Sequence, residues 1–201
     1  MTEVLGTVVG LFVQRHPLKQ GSAPLREYLT DDIVGVPAIT VDADGVTGHP
    51  GVGEPILDVH HRRHPQSRDR RGRAGVSLMA VADHVVLRAR YGDHLVDGSA
   101  GCTLLLDTFG GLAGLDLRGG LEVHTATGVI ALTGVVVADP CVEFSRFCLG
   151  ESVSAVASPS VRQALVDLGG GQRGFRAVAT QSGRIVVGDT VHRADRTHTA
   201  T

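Results

Sequence analysis

The strongest constraint on this chain is what its interior can be made of. Aromatic residues are 3% of the sequence and Trp is absent, so core volume must come from Val, Leu, Ile and Ala. Val recurs in clusters: Val4 to Val13, Val34 to Val41, Val76 to Met79 and Val129 to Ala138. Branching at Cβ stiffens χ1 and suits the pleated surface of a strand. Leu104-Leu105-Leu106 and Leu121 to His124 read as further short strands. Such runs, separated by Gly, Pro and Asp, predict eight or more strands. Closing the sheet removes exposed edges, so a barrel or a sandwich is the natural architecture.

Helix signals are fewer. Ser158 is a good N-cap, Pro159 suits the first helical position, and Val161, Leu165 and Leu168 share a face. Gly169-Gly170-Gly171 ends that segment as a C-cap run and not as a phosphate loop, because it follows the helix. This is the best helix expected. Val81 to Arg90 fits strand or helix, and residues 15–31 fit a loop or short helix. Asp42-Ala43-Asp44-Gly45 is turn chemistry. Phe175 to Thr180 and Arg184 to Val191 flank Gln181-Ser182-Gly183, a hairpin signal.

A length of 201 residues suits one domain, placed at 1–194 with a polar tail from Asp195. The formal charge of −2 gives no global field towards nucleic acid or a membrane, and neither partner is expected. Three cysteines (Cys102, Cys141 and Cys148) are too few for a disulfide framework and fit a reducing compartment. Met1-Thr2-Glu3-Val4 lacks a basic n-region, and no apolar run is long enough to span a bilayer. A cytoplasmic protein is the expectation.

The most basic stretch is residues 60–73, with six Arg against one Asp. It sits in a long irregular segment, 45–75, of the kind that is functional or mobile. His60 and His64 would share a helical face and could offer nitrogens to zinc. Pro65 and the local positive charge argue against that. A solvated basic loop, or one that grips an anion through bidentate Arg contacts, remains.

Several short motifs, in order, resemble one family. They are Gly45-Val46-Thr47-Gly48-His49, Arg73 to Leu78, Tyr91-Gly92-Asp93-His94-Leu95-Val96, and Leu132-Thr133-Gly134 followed by Pro140-Cys141-Val142. Arg173-Gly174-Phe175-Arg176-Ala177-Val178, Gly183 and Gly188-Asp189-Thr190-Val191 complete the series. Together these resemble the MOSC domain, the C-terminal module of molybdenum cofactor sulfurases. The resemblance is strongest in the second half of the chain. It implies a mainly β fold with a few helices, a closed or partly closed barrel of MOSC type. It also implies binding of the molybdenum cofactor or a related sulfur-bearing centre, with reductive or sulfur-transfer chemistry on a small molecule. An electron-donor protein is an implied partner, and pyridoxal phosphate binding is associated with the family's sulfurases. The Pro-Cys cysteine of relatives is a metal ligand or sulfur site, which falls on Cys141 as catalytic residue and metal ligand. Arg173, His49 and Arg73 are the cofactor-binding candidates. Many relatives carry an Arg shortly before Pro-Cys. Here Val137, Ala138 and Asp139 stand there, and an acidic residue opposes an anionic cofactor.

From the residues alone, Cys141 reads either as a buried structural thiol or as a reactive one at a strand end. Cys102 and Cys148, among apolar neighbours, read as core. Arg173 and Phe175 would share a strand face, which points one Arg inward or leaves it in a surface ion pair. The alternative function is a non-catalytic module of the same fold that binds an anionic small molecule or a partner protein. No Gly-x-Ser-x-Gly elbow, dinucleotide fingerprint or Cys-x-x-Cys is present.

Overall fold

The structure is a computed structural model, and it describes residues 3–73 and 75–194. The tail expected from Asp195 lies outside the described residues. Among the described residues, fourteen strands and three helices follow in chain order. They are β1 (Glu3–Gln14), β2 (Lys19–Gln20), β3 (Glu27–Tyr28), β4 (Ile33–Gly35), β5 (Ala38–Asp42), β6 (Gly45–His49), β7 (Ile56–Leu57) and β8 (Val76–Ala80). Next come α1 (Val81–Tyr91), β9 (Leu104–Thr108), β10 (Leu121–Thr125), β11 (Gly128–Val137), α2 (Val142–Leu149), α3 (Pro159–Asp167), β12 (Phe175–Ala179), β13 (Gly183–Val186) and β14 (Thr190–Arg193).

Seven strands close a barrel in the order β14-β10-β11-β12-β8-β9-β1, with β1 pairing back onto β14. All neighbours are antiparallel except β8 and β9, which are parallel and joined through α1. A parallel pair needs such a crossover. That need resolves Val81 to Arg90 as helix. β1 is twelve residues long and bends through register shifts after Val4 and Val8. Bulges of this kind bend a strand, and its far end leaves the barrel to pair with β4. A second sheet, β13-β5-β6-β7, packs Ile39, Val41, Val46 and Ile185 onto the barrel's own apolar cluster. A separate apolar cluster lies between α2, α3 and the barrel wall and holds Tyr28, Met79, Leu105, Phe144 and Cys148.

Four expectations change. The Val34 to Val41 run divides into β4 and β5 around Pro37, whose missing N–H cannot continue a ladder. The hairpin expected around Gln181-Ser182-Gly183 does not form. β12 pairs with β11 and β8, whereas β13 crosses to β5 in the other sheet. α3 is capped as expected, with Ser158 Oγ accepting from the Val161 N–H, but α1 is longer, eleven residues against nine. α2 was not anticipated: the chain enters a helix at Cys141 instead of merely turning after Pro140. Among the described residues, no helix is long and apolar enough to cross a membrane.

Candidate functional site

A cavity of about 350 Å³ opens at one rim of the barrel. Its walls come from distant parts of the sequence: Gln14 at the end of β1, the β2–β3 segment, the 59–73 loop, the start of β8, the loop ahead of β9, and the β11 exit facing β12. Five basic side chains line it: Lys19, Arg68, Arg73, Arg173 and Arg176. Against them stand two acids, Asp69 and Asp139. The lining as a whole favours an anion, since a cleft with walls of one sign concentrates its field.

Arg173 is held from several sides. Its Nη1 donates to the Asp139 carbonyl at 3.1 Å and to the Cys141 sulfur at 3.6 Å. Its guanidinium lies 4.7 Å over the Phe144 ring, a favourable cation–π arrangement. Tyr28, which lines the same cavity, donates its hydroxyl to the Ser99 carbonyl at 2.9 Å. Burial pushes the Tyr28 hydroxyl well above its usual range. The Nε atoms of both Arg173 and Arg176 are buried without a protein partner. An unpaired buried donor is costly, and here two of them belong to side chains that line one cavity. Gly174 makes this placement possible. Its φ is +91°, and a Cβ there would stand 2.2 Å from the Leu78 carbonyl.

Cys141 is the N-cap residue of α2, half-buried, with its carbonyl accepting from the Ser145 N–H at 2.9 Å. Its thiol accepts from Arg173 Nη1 at 3.6 Å. Burial pushes the Glu143 carboxyl up. Its own backbone N–H, Lys19, the Cys141 thiol and Arg26 outweigh that and hold it below the usual carboxylate range. Lys19 Nζ lies 3.6 Å from Glu143. Cys141 is not itself a lining residue of the cavity; it sits behind Arg173 and Asp139. Cys102 and Cys148 are buried, and burial pushes each thiol up to about 12.

The predicted site residues divide accordingly. Arg173 and Arg73 line the cavity and Cys141 adjoins it, so these three are brought together. His49 is not among the lining residues. It lies on β6 in the second sheet and pairs through Nε2 with Thr40 Oγ1 at 2.8 Å. Asp139 does line the cavity, although its backbone carbonyl also serves as the clamp on Arg173. His60 Nδ1 pairs with Asp58, and His64 Nε2 with the Arg15 carbonyl. Among the described residues no group of three or more His, Cys, Asp or Glu is placed to hold a metal, so Cys141 would bind one without a protein ligand set around it.

The basic loop is tied down more firmly than its charge suggests. Val59 and His61 are fully buried and Asp58 nearly so. Asp58 Oδ2 accepts from the Gln14 N–H at 2.7 Å, and Oδ1 accepts from the His60 N–H at 2.8 Å. Gly45, at φ +131°, lets the β5–β6 turn approach the His61 backbone, where a Cβ would come to 2.7 Å. Lys19, Tyr28 and Glu143 escaped sequence reading. The missed signal was the spacing of Phe144 and Cys148, four apart before Gly150, which marks the helix that presents Glu143.

No family model matches this chain, and no curated protein matches it. The solved structure of the YuaD protein from Bacillus subtilis is similar over 97% of this chain and 100% of that one, with a TM-score of 0.59 and 14% identity. At that identity the likeness is one of fold.

Proposed function

We propose that the barrel-mouth cavity binds a phosphate-bearing anion of cofactor size, and that its specific ligand is the molybdenum cofactor of the MOSC family. One observation carries the reading: five basic side chains surround a single cavity, and two of them carry buried, unpartnered guanidinium nitrogens. The volume is at the lower end for small-molecule sites, which run from about 300 to 1,000 Å³. Arg pairs phosphate oxygens bidentately, so Arg173, Arg176, Arg68 and Arg73 would hold the phosphate of a pterin cofactor. The charge fits the group. Cys141 would supply a soft sulfur at the cavity's edge. When bound, the molybdenum would supply two-electron redox chemistry. The chain's own residues orient the anion, exclude water on the Tyr28 side and hold the Cys141 thiol. The resemblance of the sequence motifs supports the same reading.

A second reading has its own support. Because Cys141 stands behind Arg173, the cavity can serve a non-catalytic module that binds an anion with no thiol chemistry. Metal analysis separates the two. Protein purified from a host that makes the cofactor is expected to carry near-stoichiometric molybdenum and to release a fluorescent pterin on oxidation. A purified protein with neither, but with retained affinity for pyrophosphate, would favour the second.

A further inference from the structure

We infer that a second cavity, at the C-terminal end of α2, binds a free amino acid with an apolar or aromatic side chain. Arg146 takes the carboxylate, Glu27 the ammonium group and Phe147 the side chain. The cavity holds about 360 Å³, again at the lower end for small-molecule sites. It shares the Tyr28 wall with the barrel-mouth cavity, but none of the five basic residues of that cavity lines it. Its binding chemistry is therefore separate from the anion site.

Arg146 is the anchor. It stands in the last turn of α2, is only 4% exposed, and lines the cavity. A guanidinium has several N–H donors in a planar fork. Among the described residues, the side chain makes a single hydrogen bond, from Nη2 to the Val156 carbonyl at 3.2 Å, and no carboxylate pairs with it. None of its nitrogens is both sealed from solvent and without a partner, so the unspent N–H groups open on the cavity. A buried charge without a counter-charge is costly, and the fork matches a carboxylate in two-point contact. The nearby acids are spent elsewhere. Glu143 lies 3.6 Å from Lys19, and the Glu151 oxygens accept from Ser158 Oγ at 3.0 and 2.9 Å. Glu27 is exposed and, among the described residues, its side chain makes no hydrogen bond or ion pair. A simple anion would meet three carboxylates here, and a simple cation would meet Arg26 and Arg146. A ligand that carries both charges satisfies both sides. Phe147 supplies the apolar wall, its ring 5.3 Å from that of Tyr28 and 5.3 Å from that of His94. His94 Nε2 fixes the wall by donating to the Phe147 carbonyl at 2.9 Å.

The test is calorimetric titration of the whole chain with L-phenylalanine, with hydrocinnamate, which lacks the amine, and with phenethylamine, which lacks the carboxylate. The expected result is saturable binding of phenylalanine, about tenfold or more tighter than either analogue. Glu27→Gln, a change at an exposed position, is expected to weaken phenylalanine about three- to tenfold and to leave hydrocinnamate unchanged or tighter. Arg146→Gln, whose amide can still donate to the Val156 carbonyl, is expected to abolish the binding of both, with circular dichroism and a urea midpoint checking that it is folded. Where it is not folded, the opposite responses of the two ligands to Glu27→Gln decide. Arg73→Gln, in the barrel-mouth cavity, is expected to leave the phenylalanine affinity unchanged. Absence of binding at millimolar phenylalanine, equal affinity for hydrocinnamate, or retained binding in a folded Arg146→Gln would overturn the inference. A loss in Arg73→Gln would also overturn it, by moving the ligand to the barrel mouth. Pyrophosphate that binds while phenylalanine does not overturns this inference alone and leaves the anion-binding reading standing.

Discussion

Gly174 and the three cysteines carry the sharpest residue-scale consequences. At Gly174 a side chain would meet the Leu78 carbonyl at 2.2 Å with φ at +91°. Backbone strain of this kind costs about 1–3 kcal/mol before the clash is counted. Gly174→Ala should lower the urea midpoint clearly; a wild-type midpoint would show that β12 and β8 can part without loss. The cysteines should sort by burial. Cys141 is half-buried, whereas Cys102 and Cys148 are buried. Alkylation of the folded protein should label Cys141 first. Cys102→Ser and Cys148→Ser should each lose roughly 1–3 kcal/mol, because a buried hydroxyl without a partner is unfavourable. Cys141→Ser should lose less. The reverse pattern would place Cys141 in the core. Short motifs mark Cys141 and Arg173 in the sequence, and the structure sets the two side chains against each other. Lys19 and Glu143 were not, since each is an ordinary charged residue until the fold brings it to the cavity. His49, marked by motif, lies away from the cavity lining: its neighbours form a hairpin with β5, and its Nε2 pairs with Thr40.

At the scale of elements, the 58–73 loop shows how charge misleads. Six arginines suggest a solvated, self-repelling segment. A single carboxylate overrides that: Asp58, 1% exposed, accepts from the Gln14 and His60 N–H groups and so ties the loop to the end of β1. Asp58→Ala leaves a buried N–H unpaired and should cost about 1–3 kcal/mol. Trypsin should then cut between Arg62 and Arg73 well before the wild type is cut there. Equal digestion would mean that Val59 and His61 hold the loop by themselves. The strands were readable from Val clustering, because β-branching acts locally. The false hairpin at Gln181-Ser182-Gly183 had every local mark of a turn. Its partners were chosen by the second sheet, which local sequence does not encode. α2 was hidden by Val142, Phe144, Ser145, Phe147 and Cys148, all of modest helix propensity, and its packing of Phe144 and Cys148 supplies what propensity lacks.

Across the whole molecule, barrel closure was anticipated from the need to remove edges, while the second sheet was not. Closure also buries His61 between the 58–73 loop and the β5–β6 turn, and His84 sits buried on α1. Burial lowers both from the ordinary 6.5, with Asp42 and Asp97 opposing only in part. The unfolded chain therefore takes up these protons first as pH falls. Stability from both groups is present above about pH 6.5 and is lost as pH drops through and below that value. Urea midpoints should fall from pH 7.5 to 5.5. The drop should shrink in His84→Gln; an unchanged drop would assign acid sensitivity elsewhere. The same fold gathers Lys19, Arg68, Arg73, Arg173 and Arg176 around one cavity from three separate stretches of chain. Calorimetric titration of pyrophosphate measures whether these gathered cations bind an anion. Saturable binding is predicted, weakened by added salt and by the double substitution Arg73→Gln and Arg176→Gln. No heat of binding at low salt, or an affinity untouched by removing both arginines, would contradict it.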